Sequence, residues 1–166
     1  SGMSTGGQVI QTAREATGAS TYTGSLGADT FIYNNSADVM VGGSGSDTLD
    51  INIAAILGGL SVDLSSTTNQ VVSLNGSTPS GSVTGFENAD ASGYTGSFGA
   101  LLTGSSAANT LTGTSNVDQI SGGAGADTVI GGAGADTVTT GSGADTVELA
   151  AIAVAGSVAG ADTVKD

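Results

Sequence analysis

From Asn109 to Asp145 every ninth residue is an aspartate or its amide, and two residues after each stands an aliphatic side chain. Read in nines, residues 104–112 are GSSAANTLT, 113–121 GTSNVDQIS, 122–130 GGAGADTVI, 131–139 GGAGADTVT and 140–148 TGSGADTVE. The sixth position carries Asn109, Asp118, Asp127, Asp136 and Asp145, and the eighth carries Leu111, Ile120, Val129, Val138 and Val147. The same frame covers 24–32 (GSLGADTFI), 33–41 (YNNSADVMV) and 42–50 (GGSGSDTLD), with Asp29, Asp38 and Asp47 followed by Phe31, Met40 and Leu49. A partial copy at 160–166, GADTVKD, puts Asp162 and Val164 in the same roles.

A fixed period of this length dictates a repeat architecture. Six residues rich in glycine make a tight turn through backbone angles that other residues avoid, and the next three run as a short strand whose middle side chain alone points inward. Two units close a coil of 18 residues, and successive coils stack parallel strands around a column of Val, Ile, Leu and Phe. The expected fold is all-β, a parallel β-roll or β-solenoid. One buried side chain, worth roughly 1.5–3 kcal/mol, cannot offset the ordering of nine residues at about 1–2 kcal/mol each. A second source of stability is required.

Composition narrows what that source can be. Only 4% of the 166 residues are aromatic and 10% charged, while 29 are glycine, so an ordinary core is hard to fill. Mean hydropathy is nevertheless slightly positive and the apolar residues recur at fixed places, which sets the chain apart from disordered sequences. Cysteine and histidine are both absent, which removes disulfides, thiolate metal sites and histidine-based nucleophile systems. Oxygen is left as the metal ligand, and it suits hard cations such as calcium. Fifteen acidic residues face Arg14 and Lys165 alone, a net charge of −13 that excludes nucleic acid and disfavours anionic membranes as partners. No apolar run approaches the roughly 20 residues of a membrane span. Ser1 and Gly2 read as residues left from cloning, and the ending at Asp166 as a cut in a longer chain.

Aspartates two units apart fall on the same edge of such a roll, so Asp127 faces Asp145 on one edge and Asp118 faces Asp136 on the other. Without a cation the members of each pair repel. With Ca²⁺ between stacked turns, each pair supplies two oxygen ligands, and backbone carbonyls of the turns complete a shell of about six to eight oxygens. Metal binding is then folding, because the unfolded chain holds no preformed site.

These units resemble the RTX nonapeptide family, whose pattern is G-G-x-G-x-D-x-U-x with U a large aliphatic residue. The match is near complete in 122–139, good in 24–32, 42–50 and 140–148, and degenerate in 33–41 and 104–121. The resemblance implies a parallel β-roll with several calcium ions in its turns. Carried over by position, it implies as ligands the carboxylates of Asp29, Asp47, Asp118, Asp127, Asp136 and Asp145. Backbone carbonyls would come from around Gly27, Gly43, Gly45, Gly123, Gly125, Gly132, Gly134, Gly141 and Gly143. Asn109 replaces an aspartate, and 113–117 lack two glycines, so the first coil of the second block is expected to bind weakly or not at all. Tyr33, Asn34, Asn35 and Ser36 stand where glycines would precede Asp38, which reads equally as a ligand or a solvated surface charge. Asp162 lies 17 rather than 18 residues after Asp145, past an irregular coil or a cap.

Between the blocks the frame is lost. LSVDLS at 60–65 and QVVSLNGS at 70–77 read as strands, the second entering an Asn75–Gly76 turn, and SVTGFENADAS follows at 82–92. Residues 8–17 are the best helix candidate, a cap for the open end of the solenoid or else a frayed leader. The expected organisation is one continuous domain. It comprises a leader or N-terminal cap (1–23), a first repeat block (24–50), broader metal-free coils (51–103), a second block (104–148) and a truncated partial repeat (149–166).

Acid pairs such as Glu87 with Asp90, or Asp47 with Asp50, read as turn or surface residues rather than a general acid and base. No catalytic residue and no organic cofactor site is assigned, and the chain is not read as an enzyme. The resemblance implies a calcium-folded structural module of a secreted or cell-surface bacterial protein, exported by type I secretion and folding where calcium is about millimolar. A surface-layer lattice subunit, self-assembling or held on a cell-surface polysaccharide, leads the alternatives. The others are an adhesin or ligand-binding module for glycan or ice, and a non-catalytic appendage of a secreted enzyme.

Overall fold

A computed structural model describes residues 7–11, 18–53, 58–149 and 163–166. Each nine-residue unit divides as its residue types require. Glycines turn the chain in all units but 33–41, the sixth-position residue closes the turn, and Thr-Val-Ile or its equivalent extends with the central residue the most buried of the three.

Two walls of strands result. The first is one parallel sheet of seven strands in the order β1 (Val9–Gln11), β3 (Thr30–Tyr33), β5 (Thr48–Ile51), β9 (Asn88–Asp90), β11 (Thr110–Thr112), β13 (Thr128–Ile130) and β15 (Thr146–Glu148). The second wall has two parts. β2 (Thr21–Thr23), β4 (Val39–Val41) and β8 (Val83–Thr84) form a parallel three-stranded sheet. β16 (Thr163–Lys165), β14 (Thr137–Ser142), β12 (Gln119–Ala124), β10 (Ala100–Thr103), β6 (Leu60–Asp63) and β7 (Val71–Leu74) form the other, in that order. Within the blocks the register advances by 18, as in Thr110↔Thr128↔Thr146 and Gln119↔Thr137. Between the walls lies the apolar column: Phe31, Met40, Leu49, Leu111, Val129 and Val138 are fully buried.

Between the blocks the chain inserts an antiparallel hairpin into one wall. β6 pairs with β7 through Leu60↔Leu74 and Val62↔Val71, with a bulge at Ser61/Val62. The chain then returns to place β8 beside β4 and β9 beside β5. The seven-stranded wall therefore runs unbroken through both blocks, with steps of 40 residues at Thr48↔Asn88 and 22 at Asp90↔Thr112. Asn75 (φ 58°) and Gly76 (φ 73°) form the expected tight turn, closed by Leu74 and Ser77. The core is bulkiest here, where Ile51, Leu60, Leu64, Val71, Phe86 and Tyr94 are buried and Tyr33 of the first block lies beside Ile51.

Two N-terminal expectations change. Val9–Gln11, within the helix candidate, form β1, because the open edge of β3 offers hydrogen-bond partners: Thr30 N donates to Gln8 O (2.8 Å). Residues 12–17 lie outside the described residues. Thr21–Thr23, within the segment read as leader or cap, are β2, aligned so that Tyr22 stacks on Met40.

Candidate metal centre

The turns of one coil lie over those of the next. Among the described residues, 24–29 stacks on 42–47, 104–109 on 122–127, 113–118 on 131–136, and 122–127 on 140–145. Gly43, Gly45, Gly123, Gly125, Gly132, Gly134, Gly141 and Gly143 all have positive φ. Each also lies against backbone of the turn one coil earlier. A Cβ on Gly43 would meet Ser25 O at 2.6 Å, and one on Gly45 would meet Gly27 O at 2.7 Å. At Gly143 the added carbon would run into the carbonyl of Gly125. The turns therefore hold backbone oxygens in close array, and a side chain would displace them.

Into this array the aspartates point inward. Asp29, Asp47, Asp118, Asp127 and Asp136 are at most 1% exposed, and Asp145 is half-buried at the end of the described roll. One oxygen of each carboxylate is fixed by a main-chain N–H one coil earlier. Gln8 N donates to Asp29 Oδ1 (2.8 Å), Asp29 N to Asp47 Oδ1 (2.8 Å), Asn109 N to Asp127 Oδ1 (2.9 Å) and Asp127 N to Asp145 Oδ1 (2.9 Å) on one edge. On the other edge Ala100 N donates to Asp118 Oδ1 (2.6 Å) and Asp118 N to Asp136 Oδ1 (2.9 Å). The structure thus brings Asp29 with Asp47, Asp127 with Asp145, and Asp118 with Asp136, and keeps the two edges apart.

The second oxygen has two fates. In Asp29 and Asp118 it accepts the N–H of Ser25 (2.6 Å) and Thr114 (2.7 Å), respectively, at the start of the same turn. In Asp38, Asp47 and Asp127 Oδ2 is buried without a partner. In Asp47 and Asp127 that oxygen lies beside the first glycine of its turn: a Cβ on Gly42 would be 2.9 Å from Asp47 Oδ2 and in contact with Gly85 O, and one on Gly122 would be 2.7 Å from Asp127 Oδ2 and in contact with Thr140 O. A buried carboxylate oxygen that faces carbonyls and lacks a donor is a costly arrangement unless a cation joins them. Hydrogen bonds from Ser25 N–H, outweighing burial, hold the Asp29 carboxyl below its ordinary value, whereas burial pushes Asp47 and Asp118 up. Among the described residues no three His, Cys, Asp or Glu side chains converge. Each stack that pairs two aspartates thus offers two carboxylates and the carbonyls of two turns, a set of oxygen donors that suits calcium.

Three residues need separate comment. Asp38 is 1% exposed and accepts from Ser20 N (3.0 Å) and Asn35 Nδ2 (3.2 Å), so the solvated-charge alternative falls. Asp162 lies outside the described residues. Glu87, read from sequence only as a turn residue, takes an aspartate's place, because Asp47 N donates to Glu87 Oε2 (2.8 Å). The signal was present in Gly85-Phe86-Glu87-Asn88-Ala89, which fits the Gly-x-Asp-x-aliphatic frame if an acid one methylene longer and a small inward residue are allowed. Ala89 aligns with both Leu49 and Leu111.

The family model of the RTX calcium-binding nonapeptide repeat, four copies long, matches residues 16–49, 94–129 and 112–147. These segments cover more than half of the chain and leave out the inserted hairpin. No curated protein matches the chain. The turn geometry and this match agree, and the chain belongs to the RTX calcium-binding nonapeptide repeat family, whose repeats bind Ca²⁺.

Proposed function

We propose that this chain is a calcium-folded, non-catalytic structural module of a secreted or cell-surface bacterial protein. In it the carboxylates of Asp29, Asp47, Asp118, Asp127, Asp136 and Asp145 share ions with carbonyls of the glycine turns around Gly27, Gly43, Gly45, Gly123, Gly125, Gly132, Gly134, Gly141 and Gly143. The observation that carries this reading is the buried, partnerless Oδ2 of Asp47 and Asp127 set among turn carbonyls. With two basic residues in the chain, a metal ion is the natural counter-charge. RTX repeat proteins are generally secreted, which fits a chain that stays unfolded at low calcium and folds at the about millimolar calcium outside the cell. Among the described residues no helix is long and apolar enough to cross a membrane.

Within this reading, assembly into a surface-layer lattice is the leading role, supported by a sequence rich in Ser, Thr, Gly and Ala. A ligand-binding role has one observation in its favour. Thr30, Thr48, Thr110, Thr128 and Thr146 form an outward column along the seven-stranded wall, interrupted by Asn88. Asp50, Asp90 and Glu148 line the neighbouring column and weigh against ice.

The test is far-UV circular dichroism of chelator-stripped protein during calcium titration, with magnesium as control and electron microscopy of the product. A cooperative, calcium-specific gain of β signal followed by ordered sheets supports both levels of the reading. A calcium-indifferent spectrum refutes the calcium-folded module, and folded monomers without sheets refute the lattice role. Magnesium should substitute poorly, because it demands a smaller, near-octahedral shell.

A further inference from the structure

Where the two repeat blocks meet, the carboxylate ladder changes character. The turn from β8 to β9 has only Gly85, Phe86 and Glu87, against six residues in the repeat turn 42–47. Phe86 fills the space beneath it, 2% exposed, with its ring edge-on to Phe31 at 5.1 Å. Two carbonyls of this short turn, those of Phe86 and Glu87, are occupied by neutral side-chain donors. Gln70 Nε2 donates to Phe86 O (2.8 Å) and to Leu64 O (3.0 Å), while Gln70 Oε1 accepts from Phe86 N (3.0 Å). Asn109 Nδ2 donates to Glu87 O (2.6 Å).

This last contact reverses the rule of the ladder. Elsewhere the sixth-position side chain accepts an N–H from the coil before it, whereas Asn109 gives a proton to that coil's carbonyl. Its own Oδ1 accepts from Ser105 N (2.6 Å), as Asp29 Oδ2 accepts from Ser25 N. Asn88 completes the stitching: its Nδ2 donates to Asp47 O (3.2 Å) and Ser46 Oγ (3.0 Å), and its Oδ1 accepts from Thr110 N (2.8 Å). Three amide side chains thus tie the β9 coil to the coils on both sides. Each amide carries donors and acceptors without net charge, so no counter-ion is needed.

We propose that this amide-stitched seam is a calcium-independent folding unit. Gln70, Asn88 and Asn109 take the cation's place there, and the repeat coils of β12–β15 grow from it only when calcium is bound. The inference rests on the calcium reading above. The seam also sits where apolar burial is greatest, around Tyr33, Leu60, Val71, Phe86 and Tyr94, whereas β13 and β14 contribute Val129 and Val138 alone. The middle of the chain therefore holds together by hydrophobic burial, and the repeats beyond it do not.

Hydrogen–deuterium exchange of the full chain, followed by peptide mass spectrometry in calcium and in chelator, tests this. In chelator, peptides within 58–103 should stay protected while peptides within 119–148 exchange as an unfolded chain. Uniform loss of protection in chelator, with a normal calcium state, overturns the seam and leaves the calcium reading standing. Uniform retention in chelator overturns the calcium reading and the proposal with it. Asn109→Asp sets a carboxylate oxygen against the Glu87 carbonyl. It should fold in calcium by circular dichroism yet speed exchange in 58–103 in chelator by about tenfold, the scale of a buried acceptor losing its donor. Unchanged exchange in chelator would show that the amide does not hold the seam.

Discussion

Asparagine at position 127 should have opposite effects at saturating and at limiting calcium. Asp127 is 1% exposed, its Oδ1 accepts from Asn109 N (2.9 Å), and its Oδ2 is without a partner. Asparagine keeps the acceptor for Asn109 N and removes only the charge. In calcium the loss is large, because Asp127 stacks with Asp145 of the 140–145 turn above, whereas the 104–109 turn below carries Asn109 and supplies no carboxylate. An ion present at a hundredfold over its dissociation constant stabilises by about 2.7 kcal/mol per site, so weakening the Asp127–Asp145 site costs roughly 2–3 kcal/mol. At limiting calcium the sign turns. A buried charge with an unpaired oxygen is expensive, and its amide replacement can donate near Thr140 O, the carbonyl that a side chain on Gly122 would also meet. Asp127→Asn should therefore be destabilised in urea denaturation with saturating calcium, and equal to or more stable than the parent at limiting calcium. Its calcium midpoint should rise at least about tenfold, the equivalent of 1.4 kcal/mol. Equal destabilisation in both conditions would refute the reasoning, because the carboxylate would then act through packing or hydrogen bonding alone.

Glycine substitutions separate backbone strain from turn stacking. Gly76→Ala, at φ 73° with open space around the new methyl, should cost about 1–2 kcal/mol in denaturation. Gly143→Ala, at φ 146° and colliding with the Gly125 carbonyl, should cost more and also raise the calcium midpoint; equal effects would count against stacked turns as the ion site. Leu111→Ala empties a fully buried position and should lose about 2–5 kcal/mol in calcium by the same assay, with a loss under 1 kcal/mol excluding a packed column there. Burial first and the neighbouring Asp90 second raise the Asp50 carboxyl above its ordinary 3.8. A folded pKa above the unfolded one gives stability that is present below the unfolded value and lost as pH rises through the folded value. Asp50→Asn should therefore gain on the parent as pH climbs from below 3.8 towards neutrality, measured as the difference in melting temperature. A constant difference across that range would sink the assignment.

The period of nine made the repeat coils legible because turn, strand and inward residue each repeat a residue type. Val129 and Val138 lie at 0% exposure where the frame puts them, and the aspartates of both blocks line the two edges in steps of 18. The hairpin was hidden because its strands are recognisable while their partner is not: nothing in LSVDLS or QVVSLN specifies which wall they join. Gln70 gave no warning, since a glutamine is ordinarily a surface residue, yet here it is 3% exposed and satisfies three backbone groups of two segments. The helix reading of 8–17 failed at Val9–Gln11 because local propensity is a weak prior against the open edge of a sheet. Asp38 lacks flanking glycines but is buried because its neighbours Tyr33 and Met40 belong to the core.

The seam and the repeats solve one problem with different chemistry. A coil of two strands and two turns leaves turn carbonyls pointing at the next coil, and some group must answer them. On the proposed reading the repeats share the answer between glycine, which lets oxygens approach, and aspartate, which would recruit a cation to sit among them. At the β9 coil the turn is too short to present such an array, and Phe86 occupies its interior. Amide nitrogens of Gln70 and Asn109 then suffice, because each carbonyl needs one donor rather than a shared ion. The replacement of aspartate by asparagine at 109 is accordingly coupled to the turn before it. A carboxylate at 109 would face Glu87 O with no proton to give, so the degenerate first unit of the second block is a fitted junction rather than a decayed repeat. This coupling predicts that restoring the consensus at position 109 alone weakens the molecule, even though it improves the match to the family.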